Sequence, residues 1–288
     1  RRIFSIFRKF PNLAASNNGR GATEPPSPRK NCFSESFLDN FRFFSEFVNG
    51  VAAMSRSGLY GPARLCTGIF STADLRLGDR AEDILTAHLQ ASSNFRGIRS
   101  AFPADLNETF LTGFSLLEKY NLAYDNWSPD FTRLPRLADL ANKNPGVTVI
   151  VNHLGGKIDP SADEEELSAW REAIDSVAAC SNTVMKLGGA QMRVGDWEPP
   201  YHMHKADSPW DSDKFLSTLL PRYQYAFEKF GPDRCMFESN FPVDKDCISY
   251  RTLWNLFKKM ATKLGLSESE KMSVFSGTAA RAYRLDQP

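Results

Sequence analysis

The chain has 288 residues, 42% hydrophobic and 24% charged, which excludes wholesale disorder, collagen-like structure and a disulfide-dense miniprotein. The 35 Lys and Arg against 34 Asp and Glu leave a net charge of +1. That balance removes any whole-chain electrostatic case for nucleic acid or for an anionic membrane.

The charge is unevenly placed. Residues 1–30 carry seven basic side chains and one acid, Glu24. An acid-poor start with Ile3, Phe4, Ile6, Phe7 and Phe10 among arginines has the flavour of a mitochondrial or plastid transit peptide. The next stretch, 11–31, concentrates Pro, Gly, Ser and Asn with little to bury, so 1–45 is expected to be a basic, partly disordered arm and 46–288 the folded domain. No apolar run reaches the ~18 residues of a membrane helix. The five cysteines (32, 66, 180, 235 and 247) are odd in number, and no two form a C-x-x-C pair. They give neither a zinc knuckle nor a disulfide framework. A reducing compartment is expected, the cytoplasm or, if the arm is an address, an organelle.

Helical spacing begins near residue 35 (Phe37, Phe41, Phe44, Phe47, Val48, Val51) and ends at the Gly58–Pro62 turn. Six strand-like runs follow at 63–71, 95–102, 121–127, 147–155, 183–189 and 234–241. Helical periodicity fills the intervals at 80–92, 108–120, 132–144, 164–180 and 212–230, and returns at 250–264 and 267–283. Such alternation reads as βαβ units with a parallel sheet. The sequence has no G-x-G-x-x-G after the first strand, no phosphate-binding loop and no G-x-S-x-G elbow, so nucleotide-binding and serine-nucleophile readings lack their key residues. Polar residues instead end several different strands, as in a (β/α)8 TIM barrel, where every strand contributes to one mouth.

His153 follows a β-branched run, as a metal ligand, a general base, a substrate hydrogen-bond donor or simply a satisfied imidazole. Asp125 emerges beside the aromatic Trp127, placed to orient a base, bind a hydroxyl, ligate a cation or cap a loop. Lys186 is placed to polarise a carbonyl or to be salt-bridged inside the mouth. Arg99 shares a strand face with Gly97, an inward position from which a guanidinium can hold a carboxylate. His202 and His204 have metal-like spacing in a Pro-rich loop, a pattern that usually coordinates nothing without a carboxylate partner nearby. His88 sits in a helical run, as surface or core filler. Glu238, Asp244 and Asp246 are acids after the last strand.

Several motifs together carry a resemblance. F-R-G-I-R, the Y-D-x-W strand followed by L-P-x-L-A-D-L-A, V-N-H-L-G-G, V-M-K-L-G-G, F-G-P-D-R-C-M-F-E-S-N-F-P-V-D-K and S-G-T-A-A-R-A-Y-R-L occur in the order in which they resemble the amidohydrolase-2 family, over roughly residues 46–285. The resemblance implies a TIM barrel whose members hydrolyse lactones and related rings or decarboxylate aromatic and unsaturated acids. His153 then matches a strand-end histidine that binds metal in some members and substrate in others, and Arg99 and Lys186 match mouth positions. Asn240 stands where many members have a water-activating or metal-ligating aspartate, and an amide supplies neither a base nor a negative charge. The family's opening His-x-His strand has no counterpart, so the chain looks like a barrel lacking its first two βα units. These two departures count against the single divalent metal, such as zinc, that the resemblance implies.

The expected activity is hydrolysis of a small cyclic ester or amide such as a lactone. Asp244 or Glu238 would activate water, with His153 and Lys186 acting on the substrate and Arg99, Asp125, Trp127 and Asn240 binding it. Two alternatives stand beside it: a catalytically silent barrel fragment that binds a ligand or partner, or forms a homo-oligomer, through an open sheet edge, and a decarboxylase on the same scaffold.

Overall fold

Val149, Ile150 and Val151 are all buried on both sides of the sheet, the environment in which β-branched residues favour a strand and in which parallel sheets are built. In the computed structural model, which describes residues 35–159, 162–190 and 209–285, they form the fourth of six parallel strands. The strands are β1 (Ile69–Ser71), β2 (Phe95–Ala101), β3 (Ala123–Trp127), β4 (Val149–Val151), β5 (Thr183–Leu187) and β6 (Cys235–Phe237). The helices are α1 (Glu35–Arg56), α2 (Ala81–Ala91), α3 (Glu108–Lys119), α4 (Leu134–Lys143), α5 (Glu164–Ala178), α6 (Ser212–Phe230), α7 (Tyr250–Lys263), α8 (Glu268–Met272) and α9 (Thr278–Ala282). Side-chain caps start many of them: Asn107 accepts from Phe110 N, Asp163 from Glu166 N and Ser249 from Thr252 N, each satisfying a first-turn donor.

Sheet order is β1-β2-β3-β4-β5-β6, with every neighbouring pair parallel. A doubly wound sheet reverses direction at a switch point, whereas this sheet advances one way throughout, as a barrel does. The fold is the α/β, TIM-barrel type, with six strands among the described residues and no pairing between β1 and β6. Inward positions carry Phe70, Ala123, Ile150, Val184 and Met236, which pack together as a small core separate from the larger one under the helices.

The C-terminal residues complete that inner core. Ala279, Ala282 and Tyr283 pack into it, and the Tyr283 ring meets Phe70 edge-on at 5.2 Å. Arg96 and Arg284 exchange side-chain-to-carbonyl bonds of 3.3 and 3.1 Å. Residues 278–285 therefore bridge the gap between β1 and β6. The single helix expected over 267–283 is three pieces: α8, a π-helical turn at Ser273–Gly277, and α9. The wider turn seats Val274 in the large core and Phe275 5.0 Å from Phe237.

Helix α1 runs across residue 45 and docks on α2 through a polar seam. The Ser45 hydroxyl lies 2.9 Å from His88 Nδ1, His88 Nε2 lies 3.2 Å from the Thr72 carbonyl, and Ser92 donates to Asn49. His88 is fully buried, and burial lowers its pKa to about 4, so the imidazole is neutral, accepting from Ser45 and donating to Thr72. No helix among the described residues is long and apolar enough to cross a membrane. Residues 1–34, including most of the basic arm, and the loop holding His202 and His204 lie outside the described residues.

Candidate active site

Five consecutive strands deliver one polar residue each to the C-terminal mouth: Arg99 from β2, Asp125 from β3, His153 just after β4, Lys186 from β5 and Glu238 just after β6. Register places Arg99 directly beside Asp125. Arg99 Nη1 is 3.2 Å from Asp125 Oδ1 and 3.0 Å from Asn152 Oδ1, and Asn152 also donates to Asp125 Oδ1. Lys186 Nζ donates to Asp125 Oδ2 at 2.6 Å and lies 3.8 Å from Glu238 Oε2. Asp125 is thus the hub of the cluster, with both oxygens engaged.

His153 owes its position to a run of left-handed backbone. His153, Leu154, Gly155 and Gly156 all have positive φ, a strained sequence for the two non-glycine residues. The indole N–H of Trp170 anchors it by donating to the Leu154 carbonyl at 3.0 Å. The imidazole Nδ1 lies against Glu238 Oε1. Nε2 faces Arg99 Nη2 at 3.4 Å. A guanidinium can only donate, so this contact favours a lone pair on Nε2 and the proton on Nδ1. Trp127 walls the imidazole edge-on at 4.9 Å, with the Arg99 guanidinium 5.8 Å from its ring.

The L-G-G sequence after β5 makes room for the pair. A Cβ on Gly189, at φ +71°, would stand 2.3 Å from His153 Nδ1, and one on Gly188 would stand 2.4 Å from Glu238 Cγ. No other residue type fits either place without moving the side chains that give the site its chemistry.

Glu238 and Asp244, both after β6, are held in opposite states. Glu238 is buried, which alone would raise its pKa, but His153 and Lys186 overcome that and lower it to about 2. It is a fixed anion. Asp244 is completely buried, and desolvation, with the negative Glu238 nearby, pushes its pKa well above the ordinary carboxylate value. Asn240 Nδ2 donates to Asp244 Oδ1 at 2.7 Å, and the Gly189 backbone also bonds to the carboxyl. Asn240 is therefore turned toward Asp244, itself at a positive φ of 44°.

Two members of the site are not singled out by sequence reasoning. Asn152 is signalled only by being polar at the end of an apolar strand. Tyr283 enters the barrel from the other end of the chain, its ring centroid 5.7 Å from Lys186 Nζ, and no local pattern in A-A-R-A-Y-R-L announces it.

The described donors do not by themselves complete a metal centre. Among the described residues no group of three or more His, Cys, Asp and Glu side chains is placed to hold an ion, whereas zinc sites in enzymes use three protein ligands. His153 and Glu238 make at most a two-donor pair, with a lysine ammonium in the space where a cation would have to approach.

Comparison with known proteins agrees with this architecture. The family model described as amidohydrolase matches residues 60–285. Protein y4mH of Sinorhizobium fredii is 34% identical over 232 residues, covering 76% of this chain and 70% of that protein. The L-fucono-1,5-lactonase of Burkholderia multivorans is 28% identical over 181 residues, 62% of this chain and 57% of the lactonase. A crystal structure of an amidohydrolase from Burkholderia multivorans with bound zinc superposes with a TM-score of 0.64 at 21% identity, over 88% of this chain and 89% of that one. With the matched segment running from just before β1 to the bridging C-terminal residues, the chain belongs to the amidohydrolase family.

Proposed function

We propose that this protein is a hydrolase that opens a small cyclic ester, a lactone, in the mouth of the barrel. The observation that carries the reading is the convergence of Arg99, Asp125, His153, Lys186 and Glu238 from five adjacent strand ends, with a carboxylate–imidazole pair next to two fixed cations. Similarity to a protein named as an L-fucono-1,5-lactonase supports it.

In this reading His153 Nε2 is the base. It takes a proton from water, and the anionic Glu238 at Nδ1 stabilises the imidazolium that forms. The oxygen of the attacked carbonyl becomes negative, and Lys186 and Arg99 offset that charge from positions already fixed by Asp125, so little reorganisation is needed at the moment of reaction. Asp244, holding its proton because it is buried, is the acid that returns a proton to the departing ring oxygen. Asn240 fixes the orientation of Asp244, and Trp127 with Arg99 forms the face on which the ring rests. Asp125 acts by holding the cations. No step is routed through a metal, because the described donor set does not fit one.

The test is a panel of lactones incubated with the full chain, followed by proton release and by a mass gain of one water. Ring opening that His153→Asn and Lys186→Met each reduce by roughly 100-fold or more, and that a chelator leaves unchanged, supports the proposal. Release of carbon dioxide from an unsaturated acid in place of ring opening would transfer the site to decarboxylation. No turnover of either class would leave the silent-barrel alternative.

A further inference from the structure

Asn152 has no part in the proton transfers, yet its amide ties two charged members of the site, Arg99 and Asp125, to the sheet. It follows β4 directly and is 1% exposed. Its Oδ1 accepts from Arg99 Nη1 at 3.0 Å, and its Nδ2 donates to Asp125 Oδ1 and to the Asn126 carbonyl. Turning the amide over would set its N–H groups against a guanidinium that can only donate. It would also set its oxygen against a carboxylate and a carbonyl that can only accept, so one orientation is allowed. The partners are carried by the sheet itself, with Arg99 paired to Asp125 across β2 and β3 and Asn126 to Val151 across β3 and β4.

We propose that Asn152 is the positioning residue that aims Arg99 at His153, holding one guanidinium nitrogen on the protein and turning the other to the reacting centre. The inference deepens the hydrolase reading and rests on it for what Arg99 does once aimed. A guanidinium beside a carboxylate prefers the two-bond fork, with two nitrogens on two oxygens. Arg99 instead divides its nitrogens: Nη1 spans Asp125 Oδ1 at 3.2 Å and Asn152 Oδ1 at 3.0 Å, while Nη2 lies 3.4 Å from His153 Nε2. An Nη nitrogen carries two hydrogens, so these two acceptors take both of those on Nη1. Asn152 opposes the fork in two ways. It supplies the second acceptor for Nη1, and its Nδ2 shares Asp125 Oδ1 while Lys186 holds Oδ2 at 2.6 Å. Nη2 is thereby kept beside the position that the attacking water must take, within hydrogen-bond reach of Nε2. A cation fixed there meets the developing oxyanion without reorganising.

The experiment uses the full chain labelled with nitrogen-15 at histidine, so its first readout needs no turnover. The chain has four histidines, and His153→Asn identifies the His153 signals by removing them. In the native protein Nε2 should read as an unprotonated nitrogen that accepts a hydrogen bond. Asn152→Leu keeps the branched shape and removes both polar ends; Asn152→Ser is the milder change and also takes the acceptor away from Arg99. In both, the Nε2 signal should move toward that of an unprotonated nitrogen with no donor. Lactone turnover should lose roughly tenfold or more in kcat while KM changes by less than about twofold. A proton on Nε2 in the native protein overturns the inference. So does an Nε2 signal that neither variant moves, or one that moves while kcat stays at the native value. If the signal moves and no lactone is opened, the aiming of Arg99 stands and the hydrolase reading falls. If lactones are opened and both variants leave the signal in place, the hydrolase reading stands and the role of Asn152 falls.

Discussion

Lys186→Met tests the centre of the site without assuming any activity. Only 5% of the Lys186 side chain and 1% of the Asp125 side chain meet solvent, and their charges are 2.6 Å apart. At an effective dielectric of about 20 that separation corresponds to an attraction of roughly 6 kcal/mol, offset by several kcal/mol of desolvation for each ion. Breaking such a pair by removing one partner is expected to cost about 3–5 kcal/mol. The methionine variant should fall at the low end, because Asp125 keeps Arg99 at 3.2 Å and the Asn152 amide. Asp125→Asn should fall at the high end, since Lys186 then has Glu238 at 3.8 Å while Arg99 loses its carboxylate. The double variant removes both charges, so its loss should be smaller than the sum of the singles by about 2 kcal/mol or more. Urea unfolding followed by fluorescence gives all three values, provided the slope stays constant. Single effects that add to within about 0.5 kcal/mol would refute the pairing.

Three further outcomes follow from the same geometry. Asp244 has its pKa raised by burial, so keeping it folded becomes unfavourable as pH rises above its unfolded value of 3.8. Asp244→Asn should stabilise the protein at pH 7, with the gain closing as pH falls toward 3.8; an equal effect at both pH values contradicts the assignment. His88 has the opposite linkage. Its pKa is lowered from 6.5 to about 4, so roughly 3 kcal/mol of stability should be lost between pH 6.5 and pH 4, and His88→Gln should flatten that part of the pH–stability curve. Gly189→Ala places a methyl 2.3 Å from His153 Nδ1 at a left-handed φ; a destabilisation of about 1–3 kcal/mol is expected together with loss of any ring-opening activity, and an unaltered rate would mean that His153 can move freely.

The alternation of short apolar runs with helical periodicity is enough to locate the six described strands, because a buried parallel strand is apolar along most of its length. The inward position of Arg99 is legible for a related reason: alternation puts it on the face of Gly97. What the sequence hides is pairing between distant elements. Asp125 reads as a carboxylate near an aromatic, but its commitment to Arg99, Asn152 and Lys186 depends on three other strands. Asp244 reads as an acid after the last strand placed to activate water, and only the turn after β6 shows that it is buried. Tyr283 lies 97 positions from Lys186 in sequence, and no local pattern brings them together.

Closure by residues 278–285 sets an order of events. The contact between Arg96 and Arg284 spans 188 positions, so it forms only after almost everything between has been made and placed. Until then the facing edges of β1 and β6 lack the cover these residues supply, and an uncovered strand edge is the arrangement that invites a neighbouring chain to add a strand. Contacts of such long separation are also the slow ones. The bridging segment therefore acts as a latch on assembly: conditions that loosen it should promote association through the sheet edges before they unfold the helices, and solubility should decline ahead of helical content.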